Sequence, residues 1–386
     1  MTEIFDKEAF KDCHAYAFAG KKTNAAFAFN NSRIAPQVKG LEYIPGQQKF
    51  LLSGTYPKLN RWDGFGAKPV EGECKKIMEH IAYILPDDDA RKYLLDCFAS
   101  LLQNPDKKIR SVFLITGGQG VGKSTIRVIL EKMLGLANVG VINSGAWNET
   151  FNAQMTNLHV AVVEELVTSD QMQSYNIFKP LISDDMFPVN QKHSPIYYGR
   201  TPYWWMAFSN HTKPILLEED DRRFYVINTP AVKQTPQYYM DLYEAMDGEI
   251  PAFMHDLMQR DISDFKPDAP PPKTPDKLEL IKQSYTPTRA ILEELIDVGN
   301  APFDKDILSL VDIRNHLEFR YGLKPRALGD RNLGNTLKKL EGIPLGVIRV
   351  GKAKHSVWAI RNAAEKWKDA TPASIKEEYA KRGTGI

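Results

Sequence analysis

The sequence predicts an α/β fold built on a parallel β-sheet, and three observations lead to this prediction. Short runs rich in apolar, β-branched and aromatic residues occur at Ser111–Thr116, His159–Val163 and Tyr203–Phe208, as expected for buried parallel strands. Stretches with helical spacing of apolar residues separate these runs. The first run ends in a glycine-rich turn, which is typical of a strand that leads into a helix.

The chain is long enough, and ordinary enough in composition, to fold around a large core. It has 386 residues, of which 43% are hydrophobic and 25% charged. We therefore expect two or three domains and exclude a mainly disordered or fibrous protein. The net charge of +2 provides no global attraction to nucleic acid or to an anionic membrane. Any such partner must be bound by a local patch.

The cysteines and the apolar segments indicate the compartment. Cys13, Cys74 and Cys97 lie far apart, which fits neither a disulfide framework nor a metal site. No stretch of the sequence approaches 18 apolar residues, and the first twenty residues carry several charges. We therefore expect no membrane span, no secretory signal and a cytoplasmic location in the host cell.

The region before the first predicted strand is expected to be mainly helical over residues 1–105. From Glu71 onward, apolar residues recur at helical spacing in two segments separated by residues 86–89, and this pattern predicts two helices. The segment up to Gln48 has weak periodicity and is expected to be partly extended.

A proline-rich segment separates the predicted sheet from the rest of the chain. A strand at Phe224–Ile227 is expected to close the core domain, residues 106–263. Residues 264–277 contain five prolines and are interpreted as a semi-rigid linker. In residues 278–386, helices at 307–321 and 327–340 and a hairpin at 346–360 predict a winged helix-turn-helix.

The glycine-rich turn matches the P-loop pattern G-x-x-x-x-G-K-[ST] and lies between a predicted strand and a predicted helix. Glycines allow backbone amides to surround phosphate, Lys123 supplies a positive charge to the β and γ phosphates, and the Ser124 hydroxyl can bind Mg²⁺. The alternative is a glycine-rich turn that only caps a helix. The residues expected to contact ATP are Gly117, Gly118, Gln119, Gly120, Val121, Gly122, Lys123, Ser124 and Thr125.

Two adjacent carboxylates follow the second predicted strand. Hydrolysis of ATP needs a carboxylate near the metal and another that orients water. Glu164 is therefore predicted to bind Mg²⁺, directly or through water, and Glu165 to polarise the attacking water. The alternative is that the pair only begins a helix.

Taken together, these motifs resemble the superfamily three helicases of the AAA+ class, and in particular the phage and plasmid primase-helicase family related to the poxvirus primase-helicase. The resemblance extends over about residues 56–228, and one departure is that Glu164 stands where many relatives have Asp. The segments that carry it are Leu59–Phe65, Leu102–Pro105, the P-loop, Phe151–Asn152, Glu164–Glu165, Phe208–Asn210 and Asp221–Phe224.

The resemblance implies roles for three further residues. Asn210 would be the sensor that hydrogen-bonds the water or the γ phosphate, and its alternative is an Asx turn. Arg222 and Arg223 match paired arginines, at least one of which would reach the ATP of a neighbouring subunit in a ring. The alternative for the arginines is a surface ion pair with Asp220 or Asp221.

The segment Pro188–Pro202 resembles the hairpin that lines the pore of such rings, where Lys192 and His193 would hold the phosphates of single-stranded DNA. A solvated loop is the alternative for this pair. Tyr197, Tyr198 or Arg200 could stack on bases, although aromatic residues beside a sheet more often belong to the core.

A second basic patch lies near the C-terminus. Residues 320–361 contain ten basic residues and two acidic ones, so this module could contact duplex phosphates. Protein contacts alone are the alternative.

The combined reading is an ATP-dependent DNA helicase that acts in the replication of a phage, plasmid or similar element. It would work as a homo-hexamer on single-stranded and forked DNA, in the 3′ to 5′ direction by resemblance. A primase or polymerase module is expected on a separate chain or in a longer parent protein. The alternatives are a replication initiator that melts little DNA and a P-loop kinase of small molecules.

Overall fold

A computed structural model describes residues 25–30, 38, 40–52, 57–143, 152–166, 171–191, 195–284, 287–323, 328–350 and 353–381. The chain divides into two compact units, Met1–Ile281 and Lys282–Ile386. The first unit contains a five-stranded parallel sheet, and the second contains a three-stranded antiparallel sheet. The predicted α/β class with a parallel sheet is confirmed.

The N-terminal part of the first unit contains a small sheet as well as helices. Its elements are α1 (Ala25–Asn30), β1 (Gly40–Glu42), β2 (Phe50–Leu51) and β3 (Lys58–Asn60). Strand β3 is central, parallel to β1 and antiparallel to β2. A mainly helical region was predicted here, because strands of two or three residues are too short to produce a recognisable alternation of polar and apolar residues.

Two helices follow, at the positions that the apolar spacing predicts. They are α2 (Lys75–Ile84) and α3 (Asp88–Gln103). The Asp87 side chain accepts a hydrogen bond of 2.8 Å from the Ala90 amide, and so caps the first turn of α3. Residues 94–102 of α3 are all buried, which places this helix inside the core.

The described residues of the central part of the first unit form seven strands. They are β4 (Val112–Thr116), β5 (Val139–Asn143), β6 (Val160–Glu164), β7 (Met186–Val189), β8 (Tyr197–Arg200), β9 (Trp204–Ser209) and β10 (Phe224–Asn228). Five of them form one sheet in the order β10-β4-β9-β6-β5, with every pair parallel. Strands β7 and β8 form a separate antiparallel hairpin. Strand β5 was not predicted, because this edge strand is only partly buried and its apolar run is interrupted by Gly140.

Further helices of this unit are α4 (Thr125–Leu134), α5 (Gln171–Ser183) and α6 (Pro236–Gln259). Helix α6 packs against α2, α3 and α4. The core between helices and sheet includes Phe98, whose ring makes edge-to-face contacts with Trp204 and Phe253 at centroid distances of 5.9 and 6.2 Å. Although α6 has 24 residues, neither it nor any other described helix is apolar enough to cross a membrane.

The proline-rich segment packs along the edge strand β10. The Thr274 hydroxyl donates to the Val226 carbonyl, and the Asp276 carboxylate accepts from the Asn228 amide at 2.8 Å. Helix α7 (Pro275–Gln283) begins here, and the buried Lys277 ammonium lies 3.0 Å from the buried Asp221 carboxylate. Residues 264–277 therefore belong to the first unit, and the division between the units follows them.

The second unit contains α8 (Pro287–Val298), β11 (Ile307–Ser309), α9 (Leu310–Tyr321), α10 (Asp330–Lys339), β12 (Ile343–Val350), β13 (Ala353–Ala359) and α11 (Pro372–Ala380). Its sheet has the order β11-β13-β12. The helix predicted from residue 307 begins instead at Leu310, because Ile307–Ser309 pairs with β13. Ser309 then caps α9 through a reciprocal hydrogen-bond pair with Asp312.

The buried ion pair between Lys277 and Asp221 leads to a prediction about stability. Replacing Lys277 by methionine keeps most of the side-chain volume but leaves the Asp221 charge without its partner. We expect Lys277→Met to lower the free energy of unfolding by about 3–5 kcal/mol, measured by urea denaturation. The exposed Lys273 on the same segment is a matched control, and Lys273→Met should change stability by less than about 0.5 kcal/mol. Equal effects of the two substitutions would contradict a role for the ion pair.

Candidate nucleotide-binding site

The parallel sheet brings the predicted site residues of three strands to one edge. Strand β9 lies between β4 and β6, with Thr116 opposite Ser209 and Val163 opposite Ala207. The residues that follow these strands therefore leave the sheet side by side. The structure thus brings together the P-loop, the acidic pair and Asn210, although they are far apart in the sequence.

The P-loop conformation requires glycine at two positions in particular. Gly117 has φ +146°, and a Cβ atom there would lie 2.4 Å from Thr229 Cγ2. Gly122 has φ +102°, and a Cβ atom there would lie 2.6 Å from His80 Cε1. Both the dihedral angle and the close packing exclude other residues, so the loop has a fixed shape at the start of α4.

Lys123 lies at the centre of the site. Its ammonium donates hydrogen bonds to the carbonyl oxygens of Gly117 (2.9 Å) and Gly118 (2.6 Å) and to the Asn210 side-chain oxygen (2.9 Å). The residue is buried, and this burial lowers the pKa of its amino group. The predicted phosphate-binding lysine and the predicted sensor are therefore in direct contact. The Asn210 side-chain oxygen, which would accept a backbone amide in an Asx turn, accepts a hydrogen bond from Lys123 instead. This contact does not favour the Asx-turn alternative.

The acidic pair differs in environment. Glu164 ends β6 and is half-buried, and its Oε1 accepts a hydrogen bond of 2.7 Å from Arg127 Nε on α4. Arg127 also pairs with Glu131. Glu165 is exposed and has φ +55°, a left-handed conformation that is uncommon for a residue with a side chain. The strand therefore leads into a strained bend at Glu165, and not directly into a helix.

The oxygen atoms present are suitable for Mg²⁺. Ser124 and Glu164 both line a cavity of about 590 Å³ together with Lys123, Glu165 and Asn210. Mg²⁺ is bound by hard oxygen ligands, and in phosphate sites it takes only one or two from the protein. One hydroxyl and one carboxylate fit that requirement, and Arg127 occupies Oε1 of the carboxylate.

Arg222 and Arg223 lie at the opposite edge of the sheet. They directly precede β10, which runs parallel to β4, so a five-residue strand, roughly 16 Å long, separates them from the carboxyl edge. Arg223 Nε donates to the Ser183 hydroxyl at 2.8 Å. Arg222 is exposed and makes no hydrogen bond or ion pair within the described parts of the chain. Neither arginine forms the alternative side-chain ion pair with Asp220 or Asp221.

Asp221 anchors the backbone at this point. Its carboxylate accepts hydrogen bonds from the Tyr175 hydroxyl (2.8 Å) and from the amides of Arg223 (3.1 Å) and Phe224 (2.9 Å). Its carbonyl oxygen accepts from Lys277 Nζ at 2.8 Å. The exposed Arg222 therefore follows a firmly held residue.

The predicted DNA-binding pair Lys192 and His193 lies outside the described residues. The hairpin that leads to them is described, and two of its aromatic side chains are not core residues. Tyr197 is 41% exposed and Tyr198 is 71% exposed. Arg200 lies 3.6 Å from Glu42, so its charge is directed toward a carboxylate.

A second cavity, of about 450 Å³, lies near the amino edge of the sheet. It is lined by Lys108, Arg110, Arg200 and Asp185, among others. The Lys108 ammonium donates to the carbonyl oxygens of Leu181 (3.1 Å) and Asp184 (2.6 Å), and burial lowers its pKa to about 7. This lysine thus binds the carbonyl groups at the end of α5, which is a structural role.

Several residues around the nucleotide site were not predicted. His80 Nε2 donates to the Gly122 carbonyl at 3.0 Å, and His80 Nδ1 accepts from the Tyr238 hydroxyl at 3.0 Å. Burial lowers the pKa of His80, which favours this neutral form. Arg127 was not predicted either, although its position three residues after Ser124 on α4 could have indicated that it lies near the site. No sequence pattern indicates His80, because 42 residues separate it from Gly122, its partner in the loop.

A family model matches part of the sequence, and several solved structures resemble most of the fold. A family model described as "Family of unknown function (DUF5906)" matches residues 115–223. No curated protein matches the chain. Two solved structures of the A form of the apo C-terminal region of NrS-1 resemble it, with TM-scores of 0.64 and 0.68. Each is 15% identical and covers 92% of this chain and 91% of the other chain.

A further apo structure of the NrS-1 C-terminal region, residues 305–718, has a TM-score of 0.61 at 15% identity. It covers 91% of this chain and 90% of the other. The class that the fold defines is thus a mixed α/β protein with a parallel five-stranded sheet and a smaller second unit. This chain shares that fold with the C-terminal region of NrS-1.

The left-handed conformation of Glu165 leads to a second prediction. Glycine adopts positive φ without strain, whereas alanine there retains a cost of about 1 kcal/mol. We expect Glu165→Gly to be more stable than Glu165→Ala by about 1 kcal/mol, measured by urea denaturation. The same two substitutions at Glu131, inside helix α4, should show the opposite order, because glycine is disfavoured in helices. If Glu165→Gly were less stable than Glu165→Ala, the left-handed backbone conformation assigned to Glu165 would be refuted.

Proposed function

We propose that this chain is an ATP-dependent DNA helicase of the AAA+ class that acts in phage-type DNA replication. The observation that supports this most strongly is the distribution of charge over the two edges of one parallel sheet. Lys123, Asn210 and the acidic pair surround one cavity at the carboxyl edge. The exposed Arg222 lies at the amino edge, from which it could serve the site of a neighbouring copy.

The proposed chemistry follows from the position of each group. The amides of the P-loop and the Lys123 ammonium bind the β and γ phosphates, and in doing so Lys123 exchanges carbonyl partners for phosphate oxygens. Asn210 orients the γ phosphate or the attacking water, and the exposed Glu165 carboxylate accepts a hydrogen bond from that water. Ser124 and Glu164 would hold Mg²⁺, whose positive charge would offset the negative charge of the phosphates.

The second step of the proposal concerns assembly. Charge that develops on the transferred phosphoryl group is commonly stabilised by an arginine. Among the described residues, no arginine lines this cavity, and Arg127, which contacts Glu164, is bound to two carboxylates. An arginine from the amino edge of a second copy would complete the site. A hexameric ring would satisfy this requirement for every copy, since a head-to-tail interface closes only as a ring.

Nucleic-acid binding is proposed for two regions. In the first unit, the hairpin β7–β8 would contact single-stranded DNA through Lys192 and His193, with the exposed ring of Tyr198 available for stacking on a base. In the second unit, α10 and the hairpin β12–β13 have the order of a recognition helix and a wing. A winged-helix interface with duplex DNA is therefore proposed there.

Two other functions are distinguished by their response to DNA. A replication initiator with the same ATP site would melt little of a forked substrate. A P-loop kinase would turn over ATP at a rate indifferent to single-stranded DNA. Phage replication, together with a primase or polymerase module on the same or another chain, is the setting that the resemblance of the motifs implies.

Removal of the Lys123 ammonium tests the site directly. We expect Lys123→Ala to reduce the DNA-stimulated ATPase rate more than about 100-fold, as loss of one transition-state donor does, and to abolish unwinding of forked DNA. The circular dichroism spectrum should be unchanged, and the exposed-lysine variant Lys68→Ala should behave as wild type. Unaltered turnover by Lys123→Ala would refute the site assignment.

Mixing experiments test whether the arginine acts between subunits. Arg222→Ala and Lys123→Ala should each be inactive alone. In mixed assemblies, some interfaces combine an intact P-loop with an intact Arg222, and the ATPase rate should partly recover.

Arg223 is the matched comparison, because its side chain is already bound to Ser183. A mixture of Arg223→Ala with Lys123→Ala should gain no activity beyond that of Arg223→Ala alone. Absence of recovery in the Arg222 mixture would contradict a finger supplied by a neighbour.

A further inference from the structure

One wall of the nucleotide-binding cavity contains side chains that the phosphate chemistry does not use. Lys233, Tyr239 and Tyr243 line this wall. The two tyrosines are four residues apart near the start of α6, so they lie on the same face of that helix. Helix α6 thus presents two phenol rings to the P-loop.

Both tyrosines contact the loop or the first residue after it. The Tyr239 hydroxyl donates a hydrogen bond of 3.0 Å to the Gly120 carbonyl. The Tyr243 hydroxyl lies 3.4 Å from the Thr125 hydroxyl. The Lys233 stem also approaches the loop, since a Cβ atom at Gly120 would lie 3.6 Å from Lys233 Cδ. These contacts place the wall beside the start of α4.

The direction of a bound nucleotide follows from the other contacts of the loop. The γ phosphate belongs at Lys123 and Asn210, and the loop amides up to the start of α4 surround the α and β phosphates. The sugar and base must therefore leave the loop near Thr125. The side chain that meets Thr125 from α6 is Tyr243, and Tyr239 lies one helical turn before it.

We propose that Tyr239 and Tyr243 form the nucleobase subsite, in which the base of a nucleoside di- or triphosphate stacks on phenol rings. This proposal rests on the proposed function, because it needs phosphates in the P-loop. Tyr243 is 43% exposed, so the protein itself leaves much of this ring uncovered inside a cavity. The hydrogen bond to Gly120 fixes the Tyr239 ring against the loop, and the flat phenol faces suit the π face of any base.

The experiment compares two ligands that share phosphates and differ in the base. The affinities of the full chain for ADP and for inorganic pyrophosphate, each with Mg²⁺, are measured by titration calorimetry. Tyr239→Ala and Tyr243→Ala should each weaken ADP binding about tenfold, in line with the loss of one stacking partner, and leave pyrophosphate binding unchanged. The matched variants Tyr239→Phe and Tyr243→Phe keep the rings and should bind ADP within about twofold of wild type.

Each other outcome has a definite meaning. An equal loss of ADP and pyrophosphate affinity in the alanine variants would overturn the proposal, because the rings would then only brace the loop. Unchanged ADP affinity in both variants would also overturn it. If Tyr239→Ala fails to fold, the more exposed Tyr243 provides the test alone. Lys123→Ala should weaken both ligands, and its failure to do so would contradict the proposed function and not the base subsite specifically.

Discussion

The common direction of the five strands in the central sheet is the constraint on which the rest of the account depends. Parallel strands place all their carboxyl ends at one edge, and the groups that can act on phosphate follow β4, β6 and β9 there. The same direction places Arg222, which precedes β10, at the other edge. One copy therefore contains both halves of the proposed site, but it cannot bring them together. Under the proposed function, the active site therefore forms between two copies.

At the amino edge of the sheet, the residue that precedes the exposed Arg222 is held by several buried contacts. Asp221 is buried and binds Lys277, Tyr175 and two backbone amides, so the residue before Arg222 has a fixed position. Lys277 belongs to the helix that follows the proline-rich segment. These contacts fix the position of the backbone from which the Arg222 side chain extends. The ion pair also joins the edge strand to the segment that leads toward the second unit.

The sequence allowed four of the five strands of the parallel sheet, β4, β6, β9 and β10, and the P-loop to be predicted because they have local signals. An apolar run followed by the spacing G-x-x-x-x-G-K-[ST] predicts a strand that leads into a phosphate-binding loop. The parts that could not be predicted depend on contacts between distant residues. His80 beneath Gly122, the phenol rings of α6 and the Lys277–Asp221 pair have no local pattern. Likewise, the spacing of apolar residues predicts a helix at Ile307–Ser309, but these residues form a strand because they pair with β13. The pore pair Lys192 and His193 stays a prediction.

The central claim is that nucleotide binds between identical copies, and the mass of the assembly tests it most directly. The Glu165→Gln variant, which is expected to bind ATP without hydrolysing it, is mixed with ATP, Mg²⁺ and an oligonucleotide and examined by native mass spectrometry. The account predicts a closed hexamer that carries nucleotide and one DNA strand, and that does not form when Lys123 is also replaced by alanine. A monomer that binds ATP and DNA at every protein concentration would contradict it.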